Sequence, residues 1–371
     1  MKAIQPLIIP LLLASCPAIA QEQQAPMREF PFGIFDSENS LTADVTLADM
    51  DGDGDLDILA ANGRHWAQQD YLFLNRGNGR MLEALPIGDF LSASYTIRPG
   101  DLDGDGDPDV VVVRDQLPAL VFLNDGAGHL QAHGAVPDSI GHARSALLFD
   151  ADGDGVLDLA IATRRGPDRV YRGDGKGGFG NGVELPDSGF GTTAIAAADL
   201  DGDGDNDLVL ARRDRGISAI MRNDGAGNFA AEPLSDSEGD HRKTAVADFD
   251  GDGRPDILLI GPDGSVLMYR QESSGFGSPH KVQVASGDVV MAIAAADMDG
   301  DGDVDLVVGT EGENRLLRND GRGNFTRETL PGGEADTYGV AVGDMNGDGR
   351  ADIVLANSGS SNNILLGLAD E

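Results

Sequence analysis

The chain has 371 residues, a formal net charge of −36 at pH 7 and one cysteine. So large an acidic excess argues against nucleic acid as a partner, because phosphate binding requires a basic face. Since the single cysteine, Cys16, lies near the N-terminus, the rest of the chain has no disulfide to stabilise it.

The N-terminus has the pattern of an export signal. An apolar core from Leu7 to Leu13 is followed by small residues, so residues 1–20 are predicted to be a signal peptide. Cleavage before Gln21 competes with a lipoprotein box that ends at Cys16, which would then carry a lipid anchor. The apolar run is far shorter than the ~20 residues of a transmembrane helix. We expect an exported protein, secreted, periplasmic or at the outer envelope, with residues 21–29 as a polar tether.

An acidic stretch of nine residues organises the remainder of the chain. It reads Asp-Met-Asp-Gly-Asp-Gly-Asp-Leu-Asp at 49–57. Six further copies begin at Asp101, Asp150, Asp199, Asp248, Asp297 and Asp344. Successive copies start 52, 49, 49, 49, 49 and 47 residues apart, so residues 30–371 are predicted to form one domain of seven repeats.

These stretches have the composition of calcium-binding loops. Side-chain oxygens occupy the first, third, fifth and ninth positions, and such crowded charges repel one another unless a hard divalent cation neutralises them. The sixth position is always glycine, which suits a turn with positive φ. Because the seventh position includes valine and arginine, it would contribute its backbone carbonyl. We expect about seven calcium ions, one per loop.

The predicted ligands are, loop by loop, Asp49, Asp51, Asp53, Asp55 and Asp57; Asp101, Asp103, Asp105, Asp107 and Asp109; Asp150, Asp152, Asp154, Val156 and Asp158; Asp199, Asp201, Asp203, Asp205 and Asp207; Asp248, Asp250, Asp252, Arg254 and Asp256; Asp297, Asp299, Asp301, Asp303 and Asp305; Asp344, Asn346, Asp348, Arg350 and Asp352.

An EF-hand is the nearest alternative, since its loop also begins with alternating oxygens. It requires a glutamate at position twelve and a helix on each side. Here position twelve is always apolar, and each loop leads into an apolar run of strand length such as Asp109 to Val113. The loops are therefore predicted to join strands. The remaining alternative is a set of solvated acidic turns, which a fixed spacing disfavours.

Each complete repeat shows four strand-length runs. In the fourth repeat they are Thr193 to Ala198, Asp207 to Ala211, Ile217 to Met221 and Phe229 to Leu234, with a glycine-rich turn before the last. Four antiparallel strands in ~49 residues predict one blade of a β-propeller. The first runs are rich in alanine, which suits a crowded position beside a central channel.

The two ends of the chain are predicted to meet. The seventh repeat ends after its third run, Asn363 to Leu368, and the aromatic segment Phe30 to Phe35 would supply its fourth strand. That pairing would leave no open sheet edge. The fold class is therefore predicted as all-β, a seven-bladed propeller of four-stranded antiparallel blades closed by the N-terminal strand.

With these motifs the chain resembles the FG-GAP/VCBS repeat family, known from the seven-bladed propeller of integrin α-subunits and from bacterial secreted proteins. The resemblance covers residues 30–371. It is carried by Asp-x-Asp-Gly-Asp-Gly-x-x-Asp, the apolar strand after it and an Asn-Asp-Gly-x-Gly-x-Phe turn, from which the fifth repeat departs at Gln271–Phe276. It implies the propeller and its ion sites. Because such propellers serve as adhesion modules, lectins and polysaccharide lyases, it does not define the function.

Basic residues concentrate in the connections at the other ends of the strands. Eleven of the 27 lysines and arginines lie there. Since guanidinium groups bind carboxylates bidentately, an anionic ligand is one hypothesis, either an acidic glycan or a protein partner. The alternative is that these arginines pair with local acids such as Asp115, Asp214 and Glu311. The candidate ligand-binding residues are Arg64, His65, Trp66, Arg114, Arg164, Arg165, Arg212, Arg213 and Arg242.

Two finer functions can be considered for this basic surface. His65 and Trp66 together would suit a sugar-stacking platform. A lyase would need a general base, but His65, His142, His241 and Tyr338 lie in four different repeats, and no hydrolase motif occurs. We therefore interpret the protein as a secreted or cell-envelope calcium-binding propeller that acts as a non-catalytic binding or adhesion module. A polysaccharide lyase and a purely structural scaffold are the alternatives.

Overall fold

The computed structural model describes residues 23–24, 26–36, 39–283 and 289–368. The predicted signal peptide, both cleavage sites and Cys16 lie outside these ranges. Within them the regular structure consists of β-strands. No helix in the described part of the chain is long and apolar enough to cross a membrane.

The strands follow the predicted runs closely. The N-terminal strands are β1 (Gln23–Gln24) and β2 (Met27–Glu29). The first repeat contains β3 (Thr42–Ala48), β4 (Asp57–Asn62), β5 (Tyr71–Leu74) and β6 (Glu83–Pro86), and the second contains β7 (Ser94–Gly100), β8 (Asp109–Arg114), β9 (Leu120–Leu123) and β10 (Gln131–Ala135). The third contains β11 (Ala143–Phe149), β12 (Asp158–Thr163), β13 (Arg169–Tyr171) and β14 (Val183–Glu184), and the fourth contains β15 (Thr192–Ala198), β16 (Asp207–Arg212), β17 (Gly216–Asn223) and β18 (Phe229–Gly239).

The last three repeats differ in detail. The fifth contains β19 (Lys243–Ala247), β20 (Asp256–Ile260), β21 (Ser265–Tyr269), β22 (Gln271–Glu272), β23 (Gly275–Phe276) and β24 (His280–Gln283). The short pair β22–β23 replaces the glycine-rich turn, where the sequence departs from the repeat pattern. The sixth and seventh contain β25 (Val290–Ala296), β26 (Asp305–Asn319), β27 (Phe325–Gly343), β28 (Asp352–Asn357) and β29 (Asn363–Gly367).

The prediction of seven separate blades is wrong, because the described residues form six principal sheets. Five are four-stranded and antiparallel, as predicted, one for each of the first five repeats. The sixth has seven strands and unites the last two repeats in the order β2-β29-β28-β27-β26-β25, with β1 beside β27. The cause is local: Glu311 to Glu313 pair in register with Glu334 to Asp336, so the strands continue where loops were expected.

The N-terminal segment completes the last sheet, but not with the predicted residues. Met27–Glu29 pairs with Leu365–Gly367, so part of the expected tether is a strand. The segment Phe30 to Phe35 forms no named strand: it contributes a bridge from Phe35 to Asn362 and two backbone hydrogen bonds with Ile364. Pro31 lacks an amide donor and the chain turns at Gly33, whose N–H donates to the Phe30 carbonyl, which prevents a longer ladder here.

The sheets are arranged in a closed ring, the β-propeller architecture. Each repeat's first strand contacts the first strand of the next repeat, and β27 of the last repeat contacts β3 of the first. The second strands, such as β8, are buried along their whole length, which explains their continuous apolar sequences. The apolar core is divided into clusters between neighbouring repeats; one of them joins Leu59 and Leu72 to Ile97 and Phe122.

Side-chain amides link neighbouring repeats beside the acidic loops. In the first, second, fourth and sixth repeats the asparagine that opens the glycine-rich turn donates to the carbonyl of the second loop residue in the preceding repeat, and Gln271 does so in the fifth. Asn124 reaches the Met50 carbonyl at 2.8 Å, and Asn75 closes the ring by reaching the Met345 carbonyl at 2.9 Å. Equivalent bonds join Asn223 to Ala151, Gln271 to Leu200 and Asn319 to Phe249. The recurrent asparagine is therefore an inter-repeat contact as well as a turn residue.

A second set of links lies at the opposite strand ends. Buried Asp70 accepts from the Asn62 amide at 2.7 Å and from the Ser94 hydroxyl of the next repeat, also at 2.7 Å. In the seventh repeat Asn362 takes the same place, accepting from the Asn357 amide and donating to Thr42 at 3.0 Å. Burial raises the pKa of Asp70 to about 7, against the opposing effect of these bonds.

We predict that Asp70→Asn changes the pH dependence of stability. Because the pKa of Asp70 in the folded protein is about 7, its stabilising contribution is complete below pH ~4 and is lost as the pH rises through 7. The asparagine amide does not ionise in this range. The free energy of unfolding of the variant should therefore increase relative to that of the wild type by ~2–4 kcal/mol between pH 4 and 8. Urea unfolding across this range in one buffer series measures the difference.

The reciprocal change Asn362→Asp is the control. It places the titrating group at the same position of the seventh repeat, and it should steepen the loss of stability with rising pH. If stability varied with pH in the same way for the wild type and both variants, the buried carboxyl would not be the cause of the loss of stability with rising pH.

Candidate functional site

The acidic loops are folded around their first carboxylate. In the second loop Oδ1 of Asp101 accepts from the Gly104 amide at 2.7 Å, and Oδ2 accepts from the Gly106 amide at 3.1 Å. Both glycines have positive φ, 81° and 97°, as the sequence predicted for the second of them. These bonds turn the backbone so that the carboxylates of positions one, three and five face one centre.

The ninth carboxylate fastens each loop to its strands. Asp57 is fully buried; its Oδ2 accepts from the Met50 amide and its Oδ1 from the Asn75 amide, both at 2.8 Å. All seven repeats repeat this arrangement, at Asp57, Asp109, Asp158, Asp207, Asp256, Asp305 and Asp352. Burial, opposed by these amide bonds, raises the pKa of Asp57, Asp256, Asp305 and Asp352 to about 6.

The carboxylates converge closely enough to share a cation. One oxygen from each of Asp101, Asp103 and Asp109 lies within 4.8 Å of the other two, and the first, third, fourth and fifth loops show similar triplets. Buried oxygens of Asp49, Asp152 and Asp250 have no hydrogen-bond partner. Oxygen-only donors with unsatisfied lone pairs fit a hard divalent ion such as calcium.

The seventh position behaves as the sequence indicated. A Cβ at Gly77 would lie only 2.4 Å from Oδ2 of Asp55, so this carboxylate packs on the glycine-rich turn. Asp107, Asp205 and Asp303 pack likewise against Gly126, Gly225 and Gly321. The side chain is therefore directed to the turn, which leaves the backbone carbonyl as the group available to an ion.

Arginines beside the loops are a feature that sequence reasoning missed. Nη1 of Arg172 lies 2.8 Å from Asp152 and 2.7 Å from Asp158, between the third and ninth carboxylates of its loop. Arg222, Arg270 and Arg318 approach the acids of their own loops in the same way. In the second and seventh repeats the corresponding residues are Leu123 and Leu366. The recurrent arginine before the turn asparagine was the available signal.

A cavity of about 450 Å³ opens at the centre of the opposite face. First strands of all seven repeats line it, through residues near their starts, whereas the acidic loops follow their ends. Small residues such as Ala43, Ala194 and Ala292 leave the space for it, as the alanine-rich runs predicted. Seven cationic side chains line the cavity: Arg64, Arg98, Arg144, Arg164, Arg213, Arg242 and Lys243.

Acids neutralise these cations only in part. Arg98 pairs with Asp44 at 2.6 Å and Arg144 with Asp115 at 3.0 Å. Arg213 and Arg242 share Asp240, and Arg164 lies 4.0 Å from Asp214. The local pairing that the sequence offered as the alternative is thus present, yet four acids face seven cations. Buried Nε atoms of Arg164, Arg213 and Arg242 also have no hydrogen-bond partner.

Arg64 and Lys243 form no ion pair with any described carboxylate. Arg64 stacks on the Tyr338 ring, 3.4 Å from its centroid. Burial lowers the pKa of Lys243; Asp44 opposes this, and Arg98 and Arg64 lower it further. Two positive charges are therefore held at the cavity without compensation within salt-bridge distance.

An aromatic pair lies beside them. The Tyr95 hydroxyl is 3.0 Å from Nδ1 of His65, and Arg144 stacks on the Tyr95 ring at 4.1 Å. Burial, with Arg64 and Arg144, lowers the pKa of His65. Burial raises the pKa of Tyr95.

The structure divides the predicted ligand-binding residues into three groups. Arg64, His65, Arg164, Arg213 and Arg242 line the cavity. Arg114 and Arg212 are instead buried against the Pro118 and Ile217 carbonyls and stack near Phe90 and Phe190. Arg165 and Trp66 are exposed outside the cavity, so His65 faces Tyr95 and forms no platform with Trp66.

Comparison with known proteins identifies the family. Six stretches match the FG-GAP-like repeat: residues 49–112, 101–161, 150–210, 199–259, 248–308 and 297–355. Each stretch contains two successive acidic loops, and together they span most of the domain. The chain belongs to the family of FG-GAP-like repeat proteins. No curated protein matches the chain at a significant level.

Solved structures share the propeller fold at low sequence identity. The BP39L lectin from Burkholderia pseudomallei has a TM-score of 0.70 at 15% identity, over 90% of this chain and 98% of the lectin. BBS1N, crystallised in complex with ARL6DN, has a TM-score of 0.65 at 14% identity, over 93% and 98%. An Agrocybe aegerita lectin that recognises non-reducing terminal N-acetylglucosamine has a TM-score of 0.57 at 22% identity, over 77% and 79%.

We predict that Lys243→Met stabilises the protein. The substitution removes a desolvated charge that Arg64 and Arg98 repel, and it keeps the length of the side chain. The melting temperature at neutral pH should rise by a few degrees. Since the folded-state pKa of Lys243 is lowered, the wild type should recover part of this difference as the pH rises toward 10.4.

Lys281→Met is the matched control, because Lys281 is exposed on β24. It should leave the melting temperature unchanged within about a degree. A fall in melting temperature for Lys243→Met alone would show that the ammonium group contributes to stability through contacts other than ion pairs.

Proposed function

We propose that the protein is an exported, calcium-stabilised binding module that takes an anionic ligand into the cationic cavity without chemical turnover. The observation that carries the proposal is the cavity itself: seven cationic side chains, two of them without an acidic partner, in a chain of net charge −36. The two lectins and the complexed BBS1N are consistent with a propeller used for binding. The predicted signal peptide is the support for export.

Calcium would be held by the first, third, fifth and ninth carboxylates and the seventh carbonyl of each loop. It would neutralise the repulsion among them and connect the two strands that the loop joins. Arg172, Arg222 and Arg318 already place a positive charge beside three of these loops. The second loop has no ion pair to an arginine among the described residues, whereas in the seventh loop Arg350 pairs with Asp348, so the second loop should depend most on the metal.

Chelation should therefore destabilise the protein sharply. We expect a chelator to lower the melting temperature by more than 10 °C and millimolar calcium to restore it, in keeping with extracellular sites of ~10⁻⁴ to 10⁻³ M. Asp49→Ala should cost less than full chelation because six loops remain intact. Calorimetric titration of the chelated protein counts the ions.

Arg222→Met provides a matched control for the role of the arginines. Without the guanidinium, the fourth loop has only the metal to neutralise it, so the variant should lose more stability in chelator than in calcium. Equal losses in both conditions would mean that Arg222 acts through packing alone.

Anion binding is tested with small probes of defined charge. Trigalacturonate and triglutamate should bind, maltotriose should not, and both affinities should fall as salt rises. Arg64→Ala should weaken binding ~10- to 100-fold, as expected for a charge-assisted hydrogen bond. Arg215→Ala is the control, since Arg215 lies in the same set of loops but is exposed outside the cavity. Binding that ignores probe charge and salt would contradict the proposal.

Polysaccharide β-elimination is the second candidate, favoured by the juxtaposition of Tyr95, His65 and Arg144. A tyrosine or histidine base would take the proton at C5 of a uronate while arginine neutralises its carboxylate. The C4–O bond would break, the C4–C5 double bond would form, and the leaving oxygen would gain a proton. Unsaturated product measured by ultraviolet absorbance during incubation with polygalacturonate, and lost in Tyr95→Phe, would favour this candidate over simple binding.

A further inference from the structure

Exposed apolar side chains lie on the same face of the propeller as the cationic cavity, and we call them the apolar belt. Its members are large hydrophobic side chains that are exposed in the loops, or at the start of β17, on the cavity side of the first four repeats. They are Trp66, Leu91, Leu117, Ile140, Phe190 and Ile217. Trp66 is 70% exposed and Ile140 64%. Six of the eleven exposed large hydrophobics among the described residues thus lie on one face, which is unusual for a surface in contact with water alone.

Backbone hydrogen bonds join the loops that carry the belt. Gln68 and Ser92 exchange two bonds of 2.9 Å, which ties the Trp66 loop to the Leu91 loop. The amide of Gln116 donates to the Gly141 carbonyl at 2.7 Å, next to Leu117 and Ile140. Further along, the Arg213 amide donates to the Gly191 carbonyl at 3.1 Å, beside Phe190. The loops that carry the belt are therefore held to one another by backbone hydrogen bonds.

The same loops contain strained backbone. Arg64, Gln116 and Asp214 have φ of 46°, 58° and 57°, in the left-handed region that residues other than glycine rarely adopt. Such conformations cost free energy and persist where the surroundings enforce them, often at binding sites. Arg64 combines this strain with a place in the cavity and no acidic partner.

Charge limits where an acidic partner can lie on this face. The paired segments Glu311 to Glu313 and Glu334 to Asp336 place like charges opposite one another on the side of the sixth and seventh repeats. An acidic segment is repelled there and attracted at the cavity. Its path is therefore confined to the first five repeats, where the belt lies.

We propose that this face docks an acidic segment of a partner protein in which apolar side chains flank carboxylates. The carboxylates enter the cavity toward Arg64 and Lys243, and the apolar side chains cover the belt. This inference rests on the proposed function and specifies its ligand. Leucine and isoleucine in the belt offer no hydrogen bonds to sugar hydroxyls, which favours a protein over a glycan. A second copy of this chain is disfavoured by the repulsion between two molecules of charge −36.

Two synthetic peptides with equal numbers of glutamates test the proposal. In one, leucine and phenylalanine separate the glutamates; in the other, serine replaces every apolar residue. The apolar peptide should bind at least ~10-fold more tightly, because burial of apolar area adds to the charge attraction. The double variant Trp66→Ser/Leu91→Ser should abolish this preference and leave the affinity for the serine peptide unchanged. Fluorescence anisotropy of labelled peptides measures all four affinities.

Leu82→Ser is the matched control, since Leu82 is 75% exposed but lies next to β6 on the side of the glycine-rich turn. It should leave the affinity for both peptides unchanged.

Equal affinities for the two peptides would overturn this inference while leaving anion binding intact. Tighter binding of trigalacturonate than of either peptide would assign the site to a glycan. Failure of every acidic probe would overturn the proposed function as well, and self-association in sedimentation that Trp66→Ser removes would assign the belt to a second copy.

Discussion

The buried carboxylate at the ninth position of each acidic loop is the interaction on which the propeller depends. At Asp57 it accepts one amide from its own loop and one from the end of the third strand, so a single side chain holds three strands of a sheet together. Burial raises the pKa of Asp57 to about 6, and the hydrogen bonds from the two backbone amides oppose that rise. The same geometry presents the Met50 carbonyl outward, where Asn124 of the next repeat binds it. One aspartate per repeat thus organises both the sheet and its junction with its neighbour.

The sequence predicted this architecture as far as local patterns reach. Loop positions and the positive φ of the sixth-position glycines follow from residue type and spacing, and the structure agrees with them. The joined sheet was not predictable, because Glu311 to Glu313 have turn-like composition and become strand only by pairing with residues 334 to 336. The N-terminal strand was placed on the aromatic residues, although Pro31 and Gly33 interrupt a ladder and Met27–Glu29 forms it instead.

Only some of the residues that line the cavity could be predicted from the sequence, because the others are placed there by the arrangement of the ring. Arg64, Arg164, Arg213 and Arg242 lie at connections, where a basic residue is conspicuous against an acidic chain. Tyr95, Arg98 and Lys243 belong to first strands, and a strand residue faces the channel or a neighbouring sheet according to a register that only the ring defines. Arg114 and Arg212 show the converse, since their loop positions look exposed while carbonyl acceptors draw them into the interior.

The two ends of the first strands carry opposite charge for a physical reason. Carboxylates gathered in the loops lower the potential at one end, and the arginines at the other end would be drawn toward them if the strands did not hold the two groups apart. The closed ring keeps that separation, because every first strand contacts two others and β27 meets β3. A cation at the loops and an anion in the cavity would each bind only the closed ring, so each would stabilise it by mass action.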